Sequence, residues 1–108
     1  MAAQALLDYE NLTDLELAGH FAAKDPRAVR LVTTRNNQRL FRTAWSILKN
    51  RSEAEDVVQE TYLRALGAIA KFEGRSSLST WLTRIAINEA LTRKRAQQRR
   101  ANAFNEKS

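Results

Sequence analysis

The chain has no cysteine, a single histidine and no long apolar run, and each scarcity removes a class of explanation. Without cysteine there are no disulfides and no thiolate metal sites, which fits a reducing compartment. With His20 alone, histidine metal clusters and imidazole acid–base machinery lack material, and His20 reads as an ordinary helix-surface residue. No apolar run approaches the ~20 residues that a membrane span needs, and MAAQALLDYENL lacks the basic flank and long apolar core of a signal peptide. No nucleophile–base pair or Gly-rich phosphate loop is visible, so an enzyme is not expected, nor is a cofactor or a metal. A chain of 108 residues makes one domain with a modest core, too small for a catalytic cleft between domains, and a cytoplasmic location is expected.

What is present is charge, unevenly placed. Residues 1–74 carry ten Lys/Arg and ten Asp/Glu, whereas residues 75–108 carry eight Lys/Arg and only Glu89 and Glu106, so the whole surplus of +6 sits on the last third. Confined in this way it is an electrostatic footprint for a polyanion. The stretch from Ser76 to Arg100, read at about 100° per residue as a helix, separates into two stripes. Leu78, Leu82, Ile85, Ala86 and Ala96 form the side a helix buries. Trp81, Arg84, Asn88, Leu91, Arg95 and Arg99 form a neighbouring surface suited to stacking on bases, bonding their edges and neutralising phosphates. A basic run at a helix C-terminus also complements the macrodipole, which is the plainer reading of Arg93-Lys94-Arg95 taken alone. Trp81 lies at the border of the stripes and is expected to be an apolar anchor, with base stacking as its alternative. Asn88 is expected to read a base edge, with a capping or bridging role inside the bundle as its alternative.

Taken in order, residues 1–11 lack periodicity and are expected to fray. Thr13 and Glu16 form a capping box for a short helix ending near Lys24. Asp25-Pro26 restarts the chain as N-cap and first helical residue. The second helix is expected to run to about Lys49, with Leu40, Phe41, Ala44, Trp45 and Leu48 buried and room for a bend in the polar stretch 33–39. Asn50-Arg51 is read as the turn, Asn accepting a left-handed conformation, and Ser52-Glu53-Ala54-Glu55 as a second capping box. In the third helix Val58, Tyr62, Ala65 and Ile69 mark the core side. Opposite them lie Asp56, Gln59, Glu60 and Leu63, an apolar residue rimmed by polar ones, as in a protein-docking patch. Residues 71–76 are the one real loop, with Gly74 free for a positive φ and Ser76 as N-cap of the basic helix. Phe72 is placed either to fold into the core or to cover a pocket.

Three stretches, D56-V-V-Q-E-T-Y-L63, F72-E-G-R-S-S77 and T80-W-L-T-R-I-A-I-N88, in this order and spacing resemble region 2 of bacterial RNA polymerase sigma factors of the extracytoplasmic-function group. The resemblance covers Thr13 to Arg100 and implies an all-α fold, a compact three- to four-helix bundle over residues 12–100. It implies docking of the helix bearing Asp56, Gln59, Glu60 and Leu63 on the coiled coil of the polymerase beta-prime subunit. It also implies recognition and melting of the promoter minus-ten element, with capture of a non-template base. Phe72, Gly74, Arg75 and Ser76 in the loop and Arg84 and Asn88 on the helix would do this, with Arg93, Lys94, Arg95, Arg99 and Arg100 on the backbone. Arg75 and Leu78 depart from the family, which often has an acidic or small residue and an aromatic there. Members normally carry a second helical domain, so residues 101–108 are expected to be a tail or the start of a linker to it. An anti-sigma factor often holds such proteins inactive, and no residue here identifies one.

Two rival readings stand beside this one. One is a helical adaptor that binds protein and has only sequence-blind, salt-dependent affinity for nucleic acid. The other is a basic amphipathic helix lying on anionic membrane, against which the apolar stripe of the fourth helix is needed by the bundle.

Overall fold

The computed structural model describes residues 8–107, and in them the backbone is helical with four helices and two short 3-10 turns. Helix α1 spans Asp14–Ala22, α2 Pro26–Leu48, α3 Arg51–Ala68 and α4 Leu78–Lys107. Helices α2, α3 and α4 pack on one another, and α1 lies across α2, the 3-10 turn Ile69–Lys71 and the start of α4. The all-α bundle expected from sequence is the architecture observed.

Local signals explain most of the boundaries. The capping box at the start of α1 is complete: Thr13 Oγ1 accepts from the Glu16 N–H at 3.1 Å and Glu16 Oε1 from the Thr13 N–H at 2.8 Å. Asp25 caps α2 through the Arg27 N–H at 3.1 Å, with Pro26 at the first helical position. The polar stretch 33–39, which left room for a bend or break, does not interrupt α2. Asn36 is buried and turns its amide back on its own helix, donating to the Val32 carbonyl at 2.8 Å. Thr33 does the same to the Arg30 carbonyl at 3.1 Å, so the polar stretch bonds within the helix instead of breaking it.

Four expectations are corrected. Lys49, not Asn50, adopts the left-handed conformation, at φ 54°, while Asn50 is extended and caps α3 by accepting from the Glu53 N–H at 2.9 Å. The cap therefore precedes Ser52. Trp45 is 44% exposed, with Lys49 Nζ 4.5 Å from its ring centroid, because the buried row of α2 is Ala28, Val32, Asn36, Leu40 and Ala44 at a strict spacing of four. In α3 the fully buried residues are Ala54, Val57, Thr61 and Ala65, while Val58 and Tyr62 are half-buried. Alanine at these contacts lets helix axes approach closely, and a pattern search weighted to large apolar residues passes over it. Finally, Ser77 rather than Ser76 caps α4, its Oγ accepting from the Thr80 N–H at 3.0 Å.

Fraying is expected of the N-terminal segment, but within the described residues Tyr9–Asn11 form a 3-10 turn. Tyr9 Oη donates to Asp25, and its ring lies 5.6 Å from that of His20. That bond holds the Asp25 carboxyl below its ordinary range and pushes the Tyr9 phenol up. Residues 1–7 lie outside the described part. At the other end α4 continues past Arg100 to Lys107, so the segment expected to be a tail or the start of a linker is helical through Lys107, and residues 98–106 are exposed.

The capping assignment has a direct consequence. Asn50→Ala removes the side chain that satisfies the Glu53 N–H and is expected to cost about 1 kcal/mol, lowering the thermal midpoint by roughly 4–8 °C in a domain of this size. Ser52→Ala, at an exposed position beyond the cap, is expected to leave the midpoint unchanged in the same melting experiment.

Candidate nucleic-acid interface and docking face

The loop between α3 and α4 is pinned at both ends. At its start Phe72 is only 7% exposed and its ring meets Trp81 at 5.5 Å between centroids and 58° between planes, a tilted aromatic pair that adds orientation to burial. At its end Leu78, Leu82, Ala86 and Ala90 bury the first three turns of α4. Between them Gly74 turns at φ 75°, in the left-handed region that favours glycine. The result is a concavity of about 320 Å³ lined by Lys71, Phe72, Glu73, Arg75, Ser76, Trp81 and Arg84. Phe72 forms its floor rather than its rim. Trp81 is half-buried, so it is both the anchor expected of it and part of the wall. Arg75 meets Glu73 at 3.5 Å, but both side chains are largely exposed, and such a pair is worth little.

Along α4, Arg84, Asn88, Arg95 and Arg99 are exposed at helical spacings that put them on one side, a line of roughly 22 Å at 1.5 Å per residue. The Asn88 side chain has no hydrogen-bond partner among the described residues, while its backbone carbonyl accepts from Thr92 Oγ1 at 2.8 Å. Its amide is thus available on the surface, as base reading requires and as an internal bridge would not leave it. The expected backbone-contacting cations divide into two groups. Arg95, Arg99 and Arg100, like Arg84, are exposed and make no ion pair with another described residue. Arg93 and Lys94 are partly committed to the bundle, because Lys94 Nζ donates to the Ile47 carbonyl at 3.2 Å, in the last turn of α2 where a cation is favoured.

Arg93 belongs to a charge ladder that sequence reasoning missed. Glu89, whose side chain is only 10% exposed, accepts from Arg93 Nε at 2.9 Å and pairs with Arg64 Nε at 3.1 Å. Arg64 also reaches Glu60 at 3.2 Å, and Arg93 approaches Asp56 at 3.9 Å. The signal was present: Glu89 is one of two acids in the basic third and stands four residues before Arg93. The ladder joins α3 to α4 and borders a concavity of about 350 Å³ that includes Asn88.

On α3, Asp56, Gln59 and Leu63 are exposed and Glu60 is half-buried, so the four expected docking residues lie on one outward face with Leu63 at 64% exposure. Beside them, Phe41, Val58 and Tyr62 floor a groove of about 340 Å³ rimmed by Asn37, Glu55 and Gln59. Tyr62 Oη donates to Asn37 Oδ1 at 2.7 Å, and burial pushes its phenol up to about 12. This groove continues onto α2 the outward face of the four residues expected to dock, which periodicity within α3 alone did not reveal. Among the described residues no group of acidic or histidine side chains is placed to hold a metal, and no helix is long and apolar enough to cross a membrane.

Comparison with known proteins gives a consistent picture. The family described as Sigma-70 region 2 matches residues 32–100. The ECF RNA polymerase sigma-E factor of Haemophilus influenzae is 35% identical over 91 residues, which are 84% of this chain and 48% of that protein. The ECF RNA polymerase sigma factor SigX of Bacillus subtilis is 40% identical over 62 residues, 57% of this chain and 32% of that protein. The chain thus spans about half the length, or less, of these relatives. Among solved structures, the NMR structure of the complex formed by an engineered region 2 of sigmaE with GTAAAA superposes with a TM-score of 0.70 at 33% identity, covering 84% of this chain and 95% of that one.

Trp81 is where stability and the concavity meet. Trp81→Ala removes the partner of Phe72 and is expected to lower the thermal midpoint by several degrees, as truncation of a packed aromatic does in a small domain. Trp81→Phe, which keeps an aromatic against Phe72, is expected to recover most of the loss in the same melting curves.

Proposed function

Because the chain belongs to the Sigma-70 region 2 family, we propose that it is a sigma factor domain that docks on the beta-prime coiled coil of core RNA polymerase and recognises and melts the promoter minus-ten element. The observation that carries this reading is the division of its surface. The loop concavity, Asn88 and the unpaired arginines of α4 form one face, and Asp56, Gln59, Glu60 and Leu63 on α3 form another. The first offers stacking, an amide and guanidiniums to a single strand. The second offers an apolar centre with an acidic rim to a protein.

In this reading Arg75, Ser76, Lys71 and Arg84 surround a captured base, Gly74 permits the turn that shapes the pocket, and Phe72 supports it from beneath. Asn88 contacts a base edge, and Arg95, Arg99 and Arg100 hold the backbone with smaller contributions from Arg93 and Lys94. The solved complex of an engineered region 2 of sigmaE with GTAAAA supports the nucleic-acid face. An anti-sigma partner covering the α3 face would compete with polymerase for the same residues. A sequence-blind helical adaptor is less well supported, because it leaves the exposed Asn88 and the loop concavity without a role.

The two faces are expected to fail independently. Asn88→Ala should reduce preference for the best single strand over a scrambled one by roughly the 1–3 kcal/mol that a base-edge hydrogen bond pair supplies, leaving the salt slope nearly intact. Arg99→Ala with Arg100→Ala should weaken all strands alike and make the slope shallower by about 0.7 for each phosphate no longer neutralised. Gln59→Ala with Leu63→Ala should weaken binding to a beta-prime coiled-coil fragment by about 1–3 kcal/mol without altering strand affinity. Titrations of the three variants at several salt concentrations check all of this, and equal loss of strand and coiled-coil binding in any one variant contradicts the division.

A further inference from the structure

The first turn of α1 touches the loop that walls the concavity, and the start of α4, at two places. Asp14 Oδ2 accepts the Leu78 N–H at 2.8 Å, a bond between residues 64 positions apart that occupies the N-terminus of α4. One residue on, Leu15 lies under the loop, its Cδ1 3.8 Å from where a Cβ on Gly74 would stand. Leu17, Ala18 and Phe21 fasten α1 to the core, so these contacts are held by a rigid element and not by a mobile side chain alone. The carboxylate also sits at the positive end of α4's macrodipole, which makes that helix end unattractive to a phosphate and leaves the Trp81–Arg84 side as the approach for a strand.

We propose that Asp14 is a positioning residue for base selection: by holding the Leu78 N–H while Leu15 supports Gly74, it sets the shape of the concavity between Phe72 and Arg84. The proposal rests on the reading that this concavity receives a base. Asp14 itself contacts no nucleic acid. Loss of its bond frees the loop end to shift relative to Trp81, and a pocket that discriminates by shape loses discrimination before it loses affinity. Backbone-held binding through Arg95, Arg99 and Arg100 takes place several helical turns further along α4 and is untouched.

The test uses the full chain and fluorescently labelled single strands comprising GTAAAA, all its single-base changes and a scrambled strand of the same composition, well below the melting midpoint. The wild-type chain is expected to rank these strands. Asp14→Ala should compress the ratio of best to scrambled strand by about fivefold to tenfold, the equivalent of the net contribution of one ordinary hydrogen bond, with scrambled-strand affinity and salt slope unchanged. Asp14→Asn retains an acceptor oxygen and should restore the ratio to within about twofold, a recovery that a requirement for charge alone would not give. Should Asp14→Ala not fold, Asp14→Glu decides: its oxygen is displaced by one methylene, and the order of preferred strands should change in a folded protein. Undiminished discrimination in a folded Asp14→Ala, an unchanged order in Asp14→Glu, or parallel loss of affinity for every strand in step with unfolding would overturn the proposal. If the wild-type chain does not discriminate within the panel, the reading of the concavity fails first and this inference falls with it.

Discussion

Burial of Leu78, Leu82, Ala86 and Ala90 in one row fixes the rotation of α4, and which of that helix's side chains face outward follows from that rotation. Successive residues of a helix are turned by about 100°, so committing this row to the core leaves no freedom over what faces out. Trp81 comes to the border, where it meets Phe72, and Arg84 and Asn88 come to the surface. Truncating Leu82, which is fully buried, would cost on the order of 2–5 kcal/mol, a large share of the roughly 5–15 kcal/mol by which small domains are stable. The outward face of α4 proposed for recognition is therefore secured by the core and not by its own contacts.

Charge is distributed by the same logic. A helix with a surplus of arginine repels itself and frays unless some of the charge is compensated. Glu89 compensates two guanidiniums at once from a nearly buried position, and Lys94 commits its charge to the end of α2. Among the described arginines of α4, those without an ion pair are Arg84 near the loop and Arg95, Arg99 and Arg100 toward the helix end. The cationic track along α4 is thus neutralised internally in its middle, and the exposed Asn88 stands in that quieter middle; under the proposed function, selection by hydrogen bonding there would be least obscured by attraction common to all sequences.

Much of this was legible in the sequence because the signals were local. The capping box at Thr13, the Asp25-Pro26 start, the positive φ of Gly74 and the two stripes of α4 depend on neighbours within a few positions. The failures were of two kinds. Asn50 and Lys49 exchanged roles because an asparagine suits both a helix end and the next helix's cap, and which it serves depends on a junction too short to hold both. Trp45 and the α3 stripe were misplaced because alanines and the polar Asn36 and Thr61 share the buried rows with Val32, Leu40 and Val57, so large apolar residues alone do not mark the buried line. The Asp14–Leu78 bond and the Arg64–Glu89 and Arg93–Asp56 rungs of the ladder join distant segments, and no spacing within one helix encodes them; only the Glu89–Arg93 and Glu60–Arg64 pairs were legible as four-residue spacings.

If one outward face handles a single strand and the other, on α3, does not, an NMR titration of the isotopically labelled chain with single-stranded GTAAAA at moderate salt separates them. Shift changes are then expected in residues 72–76, the Trp81 indole, Arg84 and Asn88, with the amides of Asp56, Gln59 and Leu63 unmoved. Changes centred on Gln59 and Leu63, or confined to the residues beyond Arg95 with the loop and Asn88 silent, would be incompatible with that division of the surface.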